Sequence, residues 1–489
     1  MIKYLPLIVV LLPLLGSLII PLFKDPKRKQ RNIYTEILVL INSVLVFYLL
    51  LNNTGEACEL FKFTGDLSIS LRVDGLSTVF AALVAFLWPL ATLYSFEYMT
   101  KEENERIFFM FYTMTYGVTL GIAMAEDFIT MYCFYELLTL VTVPLVIHTL
   151  KREAIVAART YLYYSLGGAA FAFIGMIFII MYGTTNQFVY GGVLDMAKVG
   201  NRVDILLLIY VLTFMGFSVK AAMFPFSGWL PQAGVAPTPV TALLHAVAVV
   251  KSGAFAIMRI TYYSFGADFL KGTWAQNVVM VFTIFTIVYG CSKAVKETHF
   301  KRRLAYSTIS NLSYILFGVT IMTPLGLVGA LSHLVFHALM KICSFFCAGA
   351  VMHQTDKHYV HELDGLGKRM PATFVIFTIS SLALMGVPGL AGFISKWNLT
   401  TAAAESGNVL SYFGIAALLI SALLTAIYML SVVFRAFIPG NDFDYETVKE
   451  YKDPNILMLL PLTIFAIVIF IFGLHSQPFV DFFKQVAGL

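Results

Sequence analysis

Eight ionisable side chains stand inside long apolar runs of this 489-residue sequence: Glu136, Lys220, His245, Lys251, His333, His337, Lys341 and Lys396. A charge at the centre of a bilayer costs about 2.5–3.5 kcal/mol on insertion scales, so such residues are rare and usually functional. One carboxyl among amines and imidazoles makes a poor metal cage, which needs several carboxylates or thiolates. The same set suits a lateral row of sites that accept and release protons. These eight are the candidate catalytic residues, and no metal or cofactor is expected.

Glu136, in FYELLTL, falls roughly 14 Å into its helix if that helix starts near Asp127, close to the midplane. A protonated carboxyl bonded to a neighbouring helix would explain it structurally; the rarity of intramembrane carboxylates favours function. Lys220, in GFSVKAAMFPFSGWLP, stands five residues ahead of Pro225. Snorkelling is its structural alternative, yet a helix break opens a partly hydrated cavity beside it. A Lys held near a Glu keeps both charged; drawn apart in a dry site, the pair moves toward neutrality by losing or taking a proton. That is a switch.

In TALLHAVAVVKSG, six residues separate His245 and Lys251, about 600° of rotation, so they should point to different faces. One could face the seventh segment and the other the second half of the chain. His245 alone could equally be a satisfied polar contact. In LSHLVFHALMKICSFF, His333, His337 and Lys341 recur every four residues and share one face over roughly 12 Å. Three separate core contacts are the plainer alternative. Lys396 follows in GFISKWNL. Arg259 is expected near the outer end of its helix, where snorkelling suffices.

Such residues need a membrane scaffold. Hydrophobic residues make up 59% of the chain and charged ones 12%, which places it in the membrane class. A span needs roughly 20 apolar residues. Fourteen segments qualify, at about 4–23, 33–51, 74–99, 107–125, 127–148, 160–183, 203–233, 238–263, 274–295, 303–323, 325–352, 371–406, 409–434 and 455–474. Loops after odd-numbered segments carry 21 of the 33 Lys and Arg residues, against seven on the opposite face with the tails. The positive-inside rule then sets both termini outside the cytoplasm. The seventh and twelfth segments are too long for one crossing; one contains Pro225 and Pro231, the other GVPGLAG at 386–392. Both should be discontinuous. The breaks lie five segments apart, which suggests repeats of helices 4–8 (107–263) and 9–13 (274–436). Helices 1–3 (1–106) precede them, and the last helix with its tail (437–489) follows.

Several classes are excluded. The net charge of +5 sits in short loops and reads as topology, with no case for nucleic acid. Five cysteines without CxxC support neither disulfides nor an iron–sulfur site. The first apolar run is followed by KDPKRKQR, the reverse of a cleaved signal peptide, so a retained first helix is expected. The loop HQTDKHYVHELDGLGKR gathers His353, Asp356, His358, His361, Glu362 and Asp364. HELDG is not HExxH, and a solvated loop fits better than a metal site. No dinucleotide, Walker or haem-attachment motif occurs.

The stretches FYELLTL, KAAMFPFSGWLPQAGVAPTPVTALLHA, HLVFHALMKICSFFCAGAV and GVPGLAGFISKW resemble the antiporter-like membrane subunits shared by respiratory complex I, Mrp-type Na+/H+ antiporters and membrane-bound hydrogenases. The resemblance spans roughly residues 74 to 436. It implies an all-α integral membrane fold of about fourteen helices with two inverted five-helix repeats. It also implies that Glu136 and Lys220 form the coupling pair, that His245 and Lys251 link the halves, and that His333, His337 and Lys341 line the second half. Lys396 would take the terminal position, where a lysine leans towards the Mrp D-like or hydrogenase branches. Gln232 replaces the usual acid after WLP, and the long lateral helix of the largest members is not expected.

The expected function is proton translocation, with Na+/H+ antiport as a variant, by one subunit of a multi-subunit ion-pumping complex in the plasma membrane of a prokaryote. Its partners would be other membrane subunits, the lipid bilayer, protons and, for the variant, sodium. The driving event would come from a redox partner or another ion gradient. Two alternatives remain: a stand-alone secondary carrier, and a scaffold that translocates nothing.

Overall fold

In lipid a backbone must satisfy its own hydrogen bonds, so long apolar runs close into helices. The computed structural model describes residues 2–64, 67–440 and 442–489. Among them, eleven helices are long and apolar enough to cross a membrane. The other three expected segments lie on Glu105–Ala123, Phe300–Thr320 and the pair Pro371–Met385 and Ala391–Glu405. The protein is a multi-pass, predominantly helical membrane protein.

Two helices form the centre. Thr238–Phe265 and Pro324–Thr355 are buried along their whole apolar windows, whereas the other spans bury between 33 and 67%. A helix apolar all round belongs inside a bundle. These two enclosed rods carry His245, Lys251, His333, His337 and Lys341. The first is not a uniform α-helix: Leu243–Val247 and Arg259–Phe265 are π-helical, a local widening frequent at functional sites.

Both expected breaks are present. The Val203–Ser218 helix ends well before Pro225, because Ala222 turns left-handed at φ 55°. Lys220 therefore lies inside the break rather than ahead of it. The freed backbone groups find partners: the Trp229 indole donates to the Val219 carbonyl at 2.8 Å, and the Phe224 N–H donates to Thr286 Oγ1 at 3.1 Å. The second break turns at Gly386, φ 93°, between Pro371–Met385 and Ala391–Glu405.

Gly253 lets the central helix touch the first break. A Cβ there would stand 2.6 Å from the Ala221 nitrogen and 3.1 Å from the Lys220 carbonyl carbon. Gly253→Ala is expected to destabilise the protein by about 1–3 kcal/mol through overpacking. Gly167→Ala, where nothing lies within 4 Å, is the control expected to melt no earlier than the parent in detergent.

Two elements had no sequence signal. An antiparallel hairpin pairs Cys58–Thr64 with Leu67–Leu71. The amphipathic helix Gln477–Val486 buries Val480 and Phe483, and Tyr190 donates from its hydroxyl to the Ala487 carbonyl beyond it at 2.7 Å.

Arg259 corrects an expectation. It does not snorkel: it is 1% exposed and grips Asp74 through two hydrogen bonds of 2.5 and 2.8 Å. Asp74 caps the Gly75–Tyr98 helix by accepting from the Ser77 N–H at 2.8 Å. A fixed carboxylate across the bundle outcompetes a distant interface. Burial works against ionisation of Asp74, but the guanidinium outweighs it and holds the carboxyl down at about 2.

Candidate functional site

Glu136 projects from the Phe128–Val146 helix, whose N-cap is Asp127. The cap accepts from the Thr130 N–H at 2.7 Å and from Ser70 Oγ at 2.9 Å. Glu136 is half-buried, and its Oε1 has no protein partner. Lys220, 1% exposed, donates to the Tyr135 carbonyl rather than to the Glu136 carboxylate, and its ammonium lies 3.5 Å from the Tyr135 ring centre. Each charge acts on the other. The pair is adjacent but not locked.

The other end is a continuous chain. Lys251 Nζ meets His337 Nδ1 at 2.7 Å, and the His337 and His333 rings stack at 5.4 Å and 13°. His333 Nδ1 meets Ser395 Oγ at 2.9 Å. The next residue, Lys396, donates to the Leu384 and Met385 carbonyls at 2.7 and 2.9 Å. Tyr314 lies alongside, its ring 5.0 Å from His333 and 5.5 Å from the Lys396 ammonium. Among the described residues, His337 Nε2 has no protein partner, while His333 is also within reach of the Asn311 backbone.

The expected three-residue stripe divides. Lys341 makes its hydrogen bonds outside the run, donating to Ser307 Oγ at 2.7 Å and to the Leu304 carbonyl at 3.2 Å, while its charge still acts on Lys251 and His337. His245 and Lys251 point to different neighbours: His245 is within hydrogen-bonding reach of the Leu230 backbone in the seventh segment and also meets the Pro324–Thr355 helix, and Lys251 reaches the second half. The His245 ring lies 5.0 Å from Phe345, and Lys251 reaches His337. The intervening π-turn rotates less per residue than an α-helix, which changes their relative direction.

Lys301 carries no such signal in the sequence. In FKRRL it reads as one more topological charge, yet it is 7% exposed and donates to the Ala236 carbonyl at 3.0 Å. It lies among the lining of a cavity of about 580 Å³ with Lys101, Glu102, Lys151 and His299. Burial lifts Glu102 against the pull of Lys301 and Lys151, and burial with Lys301 pushes His299 down to about 4. The His245 imidazole lies within the field of Lys341 and Lys301. A second polar cavity of about 900 Å³ is lined by Lys3, Glu59, Glu126 and Asp127. In the loop after Thr355, the Glu362 carboxylate accepts from the His358 and Tyr359 N–H groups at 2.9 and 2.8 Å.

Residues 125–427, which contain all eight candidates, match the family model described as "NADH:quinone oxidoreductase/Mrp antiporter, TM". Residues 62–109 match "NADH-Ubiquinone oxidoreductase (complex I), chain 5 N-terminus". The chain is 30% identical to an Na(+)/H(+) antiporter subunit of Alkalihalophilus pseudofirmus over 94% of its own length, and it spans only 60% of that relative. It is 30% identical to an NADH-quinone oxidoreductase subunit of Desulforudis audaxviator, covering 86% of this chain and 84% of that one. Among solved structures, an archaeal membrane-bound sulfane sulfur reductase matches with TM-score 0.85 at 22% identity, covering 99% of this chain and 97% of that one. Respiratory complex I from Thermus thermophilus gives 0.81 at 20% identity, covering 99% and 98%. The chain belongs to the NADH:quinone oxidoreductase/Mrp antiporter membrane family.

Proposed function

We propose that the chain is a proton-translocating membrane subunit of a multi-subunit ion-pumping complex. The observation that carries this is the buried run Lys251–His337–His333–Ser395–Lys396, every neighbour in contact or one residue away. Glu136 and Lys220 act as the switching pair at the other flank. Lys301 and its cavity form the uptake side, with His245 between Lys301 and Lys341. The abundance of Lys and Arg on that face supports a cytoplasmic assignment, with both termini and the larger cavity outside, in a prokaryotic plasma membrane. Two inverted repeats, helices 4–8 and 9–13, would supply the two breaks. The 30% identity to an Na(+)/H(+) antiporter component keeps sodium as an alternative coupled ion.

Lys251→Met tests the run. It keeps the stem's volume and removes the proton carrier at the 2.7 Å contact. In proteoliposomes holding the assembled complex, proton translocation is expected to fall at least tenfold. Full translocation by this variant would leave the run a structural polar seam.

A further inference from the structure

A second cluster of buried polar groups lies apart from the relay, in the helices Arg28–Leu51, Gly75–Tyr98 and Glu105–Ala123. Among the described residues, Glu36 Oε2, Trp88 Nε1 and Thr113 Oγ1 have no protein partner, while the Tyr112 hydroxyl is within reach of Ser95, and Asn42 of Tyr116. Asn42, Tyr112 and Thr113 are fully buried and Trp88 is 1% exposed. Native structures leave few buried polar groups unpaired. Several on three neighbouring helices call for a guest that both donates and accepts, as water or hydronium does.

The groups form a column. Arg28 bonds Glu105 at 3.0 Å and the Phe96 carbonyl at 3.3 Å, which puts three helix ends at one level. From that level Tyr112 lies roughly 10 Å deep, Glu36 and Trp88 12 Å, Tyr116 16 Å and Asn42 21 Å. The Glu36 carboxyl acts on the Tyr112 phenol. The Tyr112 ring lies 5.6 Å from Trp88, which stacks on Tyr116 at 5.0 Å. Tyr116 shares a hydrogen bond of 2.8 Å with Ser43. At the mouth, Arg28 and Arg31 both pair with Glu105.

We propose that Glu36 is a second proton-binding site, separate from the Glu136–Lys396 relay, exchanging protons with the Arg28–Glu105 end of the bundle past Tyr112, with the polar column continuing inward from it to Tyr116 and Asn42. A hydronium gives its proton to the carboxylate, forming one O–H bond and leaving water; release breaks the same bond. The site does not depend on the relay's function. Its outer flank bears Ile33, Ile37 and Leu40, exposed by 45 to 50%, a face that an apolar carboxyl reagent reaches from lipid.

Dicyclohexylcarbodiimide, which reacts with protonated carboxyls in apolar surroundings, is the probe. Native membranes holding the intact complex are treated at neutral pH and read by peptide mass spectrometry. An acylurea on Glu36 is expected, and none in Glu36→Gln. Infrared difference spectra should lose one protonated-carboxyl band in the same variant. A wild-type chain labelled at Glu136 but not at Glu36 overturns the proposal, and this needs no variant to fold. Labelling at Glu36 in a complex that translocates no protons would keep this site and defeat the proposed function instead.

Discussion

Lys220→Ala, in a complex that still assembles, is expected to reduce proton translocation to background, measured by dye quenching in proteoliposomes. Alanine removes the side-chain donor to the Tyr135 carbonyl and, among the described residues, the cation that acts on Glu136. The carboxyl then has no reason to ionise and the pair has nothing to trade. Lys220→Arg separates a switch from a mere counter-charge. A guanidinium does not give up its proton in proteins, so this variant keeps the positive charge and is expected to fail as well. Normal translocation by Lys220→Arg would mean that fixed charge is all the position supplies.

Arg259→Ala is expected to give the largest loss of stability. Removing one partner of a buried ion pair costs about 3–5 kcal/mol, because the other charge is left uncompensated. Here the orphan would be Asp74, which also caps a spanning helix. The readout is yield and melting temperature of the detergent-purified complex. The pH dependence has a defined sign. Asp74 has its folded pKa depressed from 3.8 to about 2. Its pairing therefore stabilises the protein fully above the unfolded value and is lost as pH falls through the folded one. Between neutral pH and about 4 the parent should show no change from this pair, whereas in Arg259→Ala burial without the cation raises the Asp74 pKa, so the variant should gain on mild acidification and the gap should narrow well before pH 2. Equal acid responses of parent and variant above pH 4 would contradict the assignment.

Long apolar runs were easy to read because a helix in lipid has one solution to its hydrogen bonds. The breaks were legible for the same reason, since Pro225 and Gly386 announce where that solution fails. The break's true start was not: it depends on Ala222, which has no intrinsic wish to be left-handed. His333 and His337 were legible as a stacked pair from their spacing. Lys341 shared that spacing yet turned to Ser307, because a hydroxyl on a neighbouring helix is invisible to helical periodicity. Lys301 and Glu36 were hidden by place. Near the ends of helices, ionisable residues read as interface charges, and only tertiary burial shows that neither is bathed in water. Arg259 failed likewise, its partner lying 185 residues away in sequence.

The ammonium of Lys396 rests on the last two carbonyls of the Pro371–Met385 helix, while its own backbone belongs to the helix after the break. A cation at a helix C-terminus is attracted by the negative end of the dipole. The side chain is thus a latch fastened on one half and closed on the other, with Gly386 as the hinge pin: a Cβ there would collide with the Lys396 Cδ at 2.9 Å. If the proposed relay discharges this amine, the latch would loosen and recharging would draw the halves together, so the bend of the backbone and the charge on Lys396 would be one mechanical coordinate.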